Sequence, residues 1–198
     1  MKIYIDGLER SGNTFLAGAI GYTLGVEAIP LWSHRVETLK NRDKDCIFVV
    51  PLRDILPSIT SAKLYRDYCL QNGIQSNERT GEPEELISRY SDYVKYLLTD
   101  ESLFIAPFSE FTKDHNLVIR TLAKENGLKI VEKYTGEEII KKIGENPKLD
   151  NPYTGNFPRE YAEEHSEVID LFLSEYKNEI DSIQESINKL YQRYYNKL

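Results

Sequence analysis

The stretch Asp6-Gly7-Leu8-Glu9-Arg10-Ser11-Gly12-Asn13-Thr14 places two glycines, an arginine and two hydroxyls directly after the short apolar run "KIYI". That combination suits oxyanion binding. A glycine-rich backbone running from a strand into a helix turns amide N–H groups toward a ligand, and the helix N-terminus adds partial positive charge. A triphosphate-binding loop reads G-x-x-x-x-G-K-[ST], its lysine reaching the β- and γ-phosphates. Gly7, Gly12 and Thr14 keep the spacing, but Asn13 stands where the lysine would. The cation, Arg10, lies two residues before the second glycine. No apolar strand near the loop ends in an aspartate suited to magnesium: "CIFVV" continues into Pro51-Leu52-Arg53-Asp54, arginine first. These features disfavour triphosphate hydrolysis and favour a shorter anion held without metal. The bland assignment is a tight strand–helix turn with Arg10 and Arg53 in surface or capping pairs.

The elements that must hold this loop alternate along the chain. "KIYID" predicts a strand, 13–24 a helix, "VEAI" a short strand, and "CIFVV" (46–50) a strand buried on both faces. A helix is expected over about 54–68 and another over 83–98, with Leu86, Tyr90, Val94 and Leu97 on one stripe. "LFIAPF" reads as a strand, 113–126 as a helix stopped by Asn126-Gly127, and "LKIVEKY" as an edge strand. Residues 71–83 and 144–158 read as irregular. Such alternation predicts an α/β fold with three layers, a central and mainly parallel sheet flanked by helices, in one domain spanning 1–198. From 159 to 197 a long helical segment is expected. Ile169, Leu173, Tyr176, Ile180, Ile183, Ile187, Leu190 and Tyr194 alternate steps of four and three, a heptad seam. The seam fits either a helix packed across its own domain or a contact between two copies in a homodimer.

The chain has 198 residues and a net charge of -7. No overall field draws it to nucleic acid or to an anionic membrane, so an anionic ligand needs a local basic site. Two cysteines make no disulfide framework, and Cys46 is expected as a small buried hydrophobe. No apolar run approaches the ~20 residues that span a bilayer. With a strand starting at residue 2 leaving no room for a signal peptide, a cytoplasmic protein is expected.

Arg10-Ser11-Gly12-Asn13-Thr14-Phe15-Leu16 resembles the 5'-phosphosulfate loop of sulfotransferases, K/R-S-G-T/S-T/S-hydrophobic, enzymes that use 3'-phosphoadenosine 5'-phosphosulfate (PAPS). "IFVVPLRDILPSITSAKLY" is similar to the family's 3'-phosphate segment: an apolar strand, an arginine at its end, and a serine eight residues on, here Arg53 and Ser61. Ile55 and Pro57 depart from the proline and acidic residue usual there, which leaves Ser58 as an alternative to Ser61. "LFIAPFSEFTKDHNLVIRTLAKENGL" resembles the strand that ends near Tyr-Glu-Asp-Leu in the family, with Glu110 at the glutamate and Phe108 or Ser109 near the tyrosine. "NPYTGNFPREY" lies where the family has R-K-G…G-D-W-K…F. The arginine-lysine-glycine triplet is absent, leaving Lys148 or Arg159 as substitutes.

The resemblance covers about residues 2–165. It implies a P-loop-type fold and sulfuryl transfer from PAPS to a hydroxyl or amine of a small-molecule, carbohydrate or peptide acceptor, with adenosine 3',5'-bisphosphate as product and no metal. Arg10, Ser11, Gly12, Asn13, Thr14 and Phe15 would hold the phosphosulfate, and Arg53 with Ser61 the 3'-phosphate. Arg10 would also stabilise charge on the leaving phosphate. The Ser33-His34 pair falls where many cytosolic members carry a basic histidine, so His34 becomes the candidate general base and Glu37 its rival. Trp32 would line the acceptor pocket or fill the core. His115 and His165 are expected on polar helix faces, and the tyrosines of "YSDYVKY" in packing. Two other classes stay open: a nucleotide or small-molecule kinase with a degenerate loop, and a non-catalytic nucleotide-binding or assembly protein.

Overall fold

The computed structural model describes residues 1–8, 12–71, 73, 82–146 and 164–198. The elements are β1 (Lys2–Ile5), α1 (Asn13–Leu24), β2 (Glu27–Pro30), α2 (Val36–Lys40), β3 (Ile47–Leu52), α3 (Ile55–Gln71), α4 (Pro83–Thr99), β4 (Phe104–Pro107), α5 (Phe108–Glu125), α6 (Gly136–Gly144) and α7 (Glu164–Tyr195). The four strands make an all-parallel sheet in the order β2-β1-β3-β4, with Ile5 opposite Pro30 and Val49, and Leu52 opposite Pro107. Among the described residues no helix is long and apolar enough to cross a membrane.

Alternation along the strands divides the core in two. Ile3, Ile5, Val49, Phe104 and Ala106 pack under α1, α5 and α6. Phe48, Val50, Leu52 and Ile105 pack under α2, α3, α4 and α7. Helices on both faces explain why β3 reads as a continuous apolar run rather than an alternating one. The expected stripe on α4 is buried, Leu86, Tyr90, Val94 and Leu97 all facing the second core. The result is the expected α/β architecture of three layers.

Several local expectations are corrected. Residues 128–134 form no strand: the amides of Val131 and Glu132 both donate to Thr23 O (2.9 and 3.3 Å). They thereby satisfy a carbonyl in the last turn of α1, which has no partner inside its own helix. α5 starts five residues ahead of the expected 113. It bends at Asp114 (φ -148°), whose carboxylate accepts from Leu117 N (3.2 Å), so the expected helix is the part beyond the bend. α6 was not expected, yet Thr135 and Glu138 form a reciprocal capping box at its start. Cys46 is half-buried, ahead of β3, with its thiol on Asp43 (3.5 Å), rather than buried. The irregular segments 71–83 and 144–158 lie mostly outside the described residues, as do Lys148 and Arg159.

The heptad seam resolves into two parts. Ile180, Ile183, Ile187 and Leu190 are buried among α3, α4 and the sheet, and Tyr194 stacks edge-on against Phe104 (6.1 Å). A contact between two copies would have to do without these residues. Tyr176 breaks helical geometry (φ -127°, ψ 23°), and upstream the inward position slips by one residue. There Phe172 is buried while Leu173 is exposed.

α7 also fixes the turn after β3. Gln184 Oε1 accepts from Ile55 N (3.0 Å), and its Nε2 donates to Asp54 Oδ1 (2.9 Å). One amide thus caps α3 and pins Asp54, 130 residues away in sequence. Gln184→Ala should lower unfolding free energy by about 1–2 kcal/mol, the usual effect of losing a helix cap. Urea denaturation of the variant checks this.

Candidate functional site

Following β1 the chain turns toward β2 with α1 on one face. Following β3 it turns toward β4 with α3 and α4 on the opposite face. The crevice beyond the carboxyl ends of β1 and β3 is therefore the topological switch point, the usual ligand position in open parallel sheets. Asp6, Gly7 and Leu8 leave β1 here, and Arg53 leaves β3.

Gly12 has φ 84°, the left-handed region, and ends the loop as the N-cap of α1. A Cβ there would lie 2.9 Å from Phe111 and 3.4 Å from Phe108, so glycine is required both by conformation and by space. Asn13 does not face outward. Its Oδ1 accepts from Gly7 N (2.7 Å), and its Nδ2 donates to Gly7 O (3.2 Å) and Leu8 O (3.5 Å). The residue in the lysine position therefore clamps the two ends of the loop together, and Gly7's amide is committed to it. Among the described residues no side chain caps α1, whose first amides face the switch point. Thr14 Oγ1 accepts from Trp32 Nε1 (3.3 Å), which leaves the hydroxyl proton for an anion. Phe15 packs on Phe111 and, edge-on, on His115 (5.7 Å). Arg10 and Ser11 lie outside the described residues.

Sequence reasoning missed Asp6. Its carboxylate is fully buried, Oδ1 accepting from Ser33 N (3.1 Å) and His34 N (3.2 Å), Oδ2 from the Ser33 hydroxyl. Tyr93 Oη donates to the Asp6 carbonyl (2.7 Å). Burial raises the Asp6 pKa, against the lowering effect of its hydrogen bonds to Ser33 and the nearby His34. Trp32 and His34 both carry positive φ (49° and 54°), a conformation that side-chain-bearing residues adopt only when held. His34 Nδ1 lies 2.5 Å from Gly7 O. A carbonyl only accepts, so Nδ1 carries the proton and Nε2 is the basic nitrogen.

On the β3 side, alternation sends Arg53 to the α1/α5 face, where its guanidinium stands 4.8 Å over the Phe108 ring. Phe108 in turn abuts Gly12. One phenyl ring therefore separates the two segments expected to hold an anion at each end. Ser58 is buried one turn into α3, and Ser61 is half-buried about 9 Å along the helix from Ile55. Glu110 accepts from Tyr195 Oη (3.0 Å). Tyr191 donates to Leu52 O (3.2 Å), and burial, then the charge of Asp54, pushes its phenol pKa up, so it stays a donor.

Beside His34, on the face of α2 and α4, opens a cleft of about 1250 Å³, lined by Trp32, His34, Glu37, Arg89, Asp92 and Tyr96 among others. Trp32 is 38% exposed, so it lines the cleft rather than the core. Glu37 is exposed on α2. His115, expected on a polar face, is buried with Nε2 on Tyr134 O (2.8 Å). Tyr90 and Tyr93 pack in the core as expected; the side chain of His165 lies outside the described residues. No family model, curated protein or solved structure matches the chain.

Gly12→Ala should destabilise the fold by at least about 2 kcal/mol, since left-handed backbone alone costs roughly 1–2 kcal/mol and Phe111 must also move. Asp6 gives a signed pH test. A raised carboxylate pKa contributes stability that is full below the unfolded value, about 3.9, and is lost as pH rises through the folded value. The stability of the wild type relative to Asp6→Asn should therefore fall as pH climbs above about 4, followed by urea titration at successive pH values. A rising difference would mean that the donors around the carboxylate outweigh its burial.

Proposed function

We propose that the chain is a sulfotransferase, moving a sulfuryl group from PAPS to a hydroxyl or amine. The observation that carries this reading is the convergence of the glycine loop and Arg53 on one switch point, where the Phe108 ring lies 4.8 Å from the Arg53 guanidinium and abuts Gly12. A donor with an anion at each end needs such a pair of sites. The phosphosulfate would lie over the first turn of α1, on its amides, Thr14 and Arg10. The 3'-phosphate would meet the forked guanidinium of Arg53, with Ser61 or Ser58.

The acceptor would enter from the α2/α4 cleft, opposite the nucleotide. Its oxygen or nitrogen attacks sulfur while the bond from sulfur to the bridging phosphate oxygen breaks. That electron pair leaves on adenosine 3',5'-bisphosphate. The acceptor's proton passes to His34 Nε2, the nitrogen left basic by the bond from Nδ1 to Gly7. Charge grows on the departing phosphate, where Arg10 acts electrostatically because an arginine keeps its proton. Asn13 supports this chemistry by closing the loop, and contributes only its backbone amide to the ligand.

Calorimetry should find adenosine 3',5'-bisphosphate bound more tightly than adenosine 5'-monophosphate, equally well with or without a chelator. Arg53→Ala should weaken the bisphosphate by roughly 10–100-fold, the effect of losing hydrogen bonds to a charged group, and leave the monophosphate unchanged. Equal affinity for the two nucleotides removes Arg53 from the site. Magnesium-dependent ATP binding favours the kinase, and binding of neither favours an assembly role. Once an acceptor is found by screening, Arg10→Ala should cost about 10²–10³ in turnover, and more there than in product affinity.

A further inference from the structure

We propose that Asp6 is a positioning residue for His34, its buried carboxylate holding the turn that locks the imidazole into the Nδ1-protonated form. The catalytic consequence rests on the general-base reading of His34; the geometry does not. Two backbone amides, those of Ser33 and His34, converge on the same oxygen, Oδ1, and the Ser33 hydroxyl binds the other. The segment they belong to holds two left-handed residues, Trp32 and His34. Neither is a glycine, and such conformations persist only where their surroundings hold them. Asp6 is the acceptor common to both amides, and it is itself anchored: its amide donates to Val49 O (3.2 Å) and its carbonyl accepts from Tyr93. With the turn so fixed, the imidazole meets the carbonyl of the next residue, Gly7, whose amide is fixed by Asn13. One buried carboxylate thus couples the base to the loop that would bind the donor. The indole of Trp32, in the same turn, reaches Thr14 in the first turn of α1.

Nitrogen-15 NMR of the imidazole in the free protein tests this directly. In the wild type the neutral imidazole of His34 should be protonated at Nδ1 and bare at Nε2. Asp6→Ala, which removes every acceptor, should lose that form for the mixture of a free imidazole. Asp6→Asn should keep it, because its amide oxygen still accepts both backbone N–H groups while its NH₂ donates to the Ser33 hydroxyl. Retention of the Nδ1–H form in folded Asp6→Ala overturns the proposal, and so does its loss in folded Asp6→Asn. Should Asp6→Ala not fold, deuterium exchange in the wild type decides: the amides of Ser33 and His34 should open in a single event, with opening constants equal within about tenfold. A larger difference overturns it. These measurements contain no nucleotide, so their failure is separate from that of the sulfuryl-transfer reading, which fails if adenosine 3',5'-bisphosphate does not bind.

Discussion

A carboxylate removed from water must find donors, and Asp6 finds three of them on two consecutive residues of the β2–α2 connection. The remainder of the candidate site is arranged around that requirement. Satisfying Asp6 draws residues 32–34 over the carboxyl end of β1, with Trp32 and His34 in left-handed backbone. His34 then lies on Gly7 and Trp32 on Thr14, so the connection is tied both to the glycine loop and to the first turn of α1. Asn13 closes the loop from inside, between Gly7 and Leu8.

A lysine at position 13 could not do this work. It has no acceptor for the Gly7 amide, and its charge would need water or a phosphate. Asparagine trades a cation for a clamp. Asn13's hydrogen bonds to Gly7 and Leu8 hold the base of the loop, and Gly12 is fitted against Phe111 and Phe108 at its far end. On our reading the positive charge that the clamp displaces comes from Arg10 at one end of the ligand and Arg53 at the other. Arg53 is fixed by construction: Phe108 lies under its guanidinium, and Gln184 holds the turn that carries it.

The layered fold was legible because its signals are periodic. A continuous apolar run at β3 and an i, i+4 stripe on α4 each have one structural solution. "LKIVEKY" misleads because its alternation matches a strand, while two of its amides instead complete the end of α1. The capping box Thr135-x-x-Glu138 is readable in the sequence and marks α6. The seam on α7 was legible as a seam, but the slip at Tyr176 depends on backbone geometry that spacing does not encode. Within the site, the glycine loop and Arg53 were visible as residue types at known spacing. Asp6 was not, since an aspartate after a strand is common and its partners are 27 and 28 residues away. Asn13 was visible, but its inward orientation was not.

Deuterium exchange with and without adenosine 3',5'-bisphosphate tests the central claim, that one switch point holds both ends of a doubly anionic nucleotide. The account predicts that binding, in the absence of magnesium, slows exchange at the first amides of α1, residues 13–16, and at the turn 53–58 together. Arg53→Ala should abolish the effect at the second and keep it at the first. Protection confined to one segment, or appearing in neither while the nucleotide binds elsewhere, would contradict it.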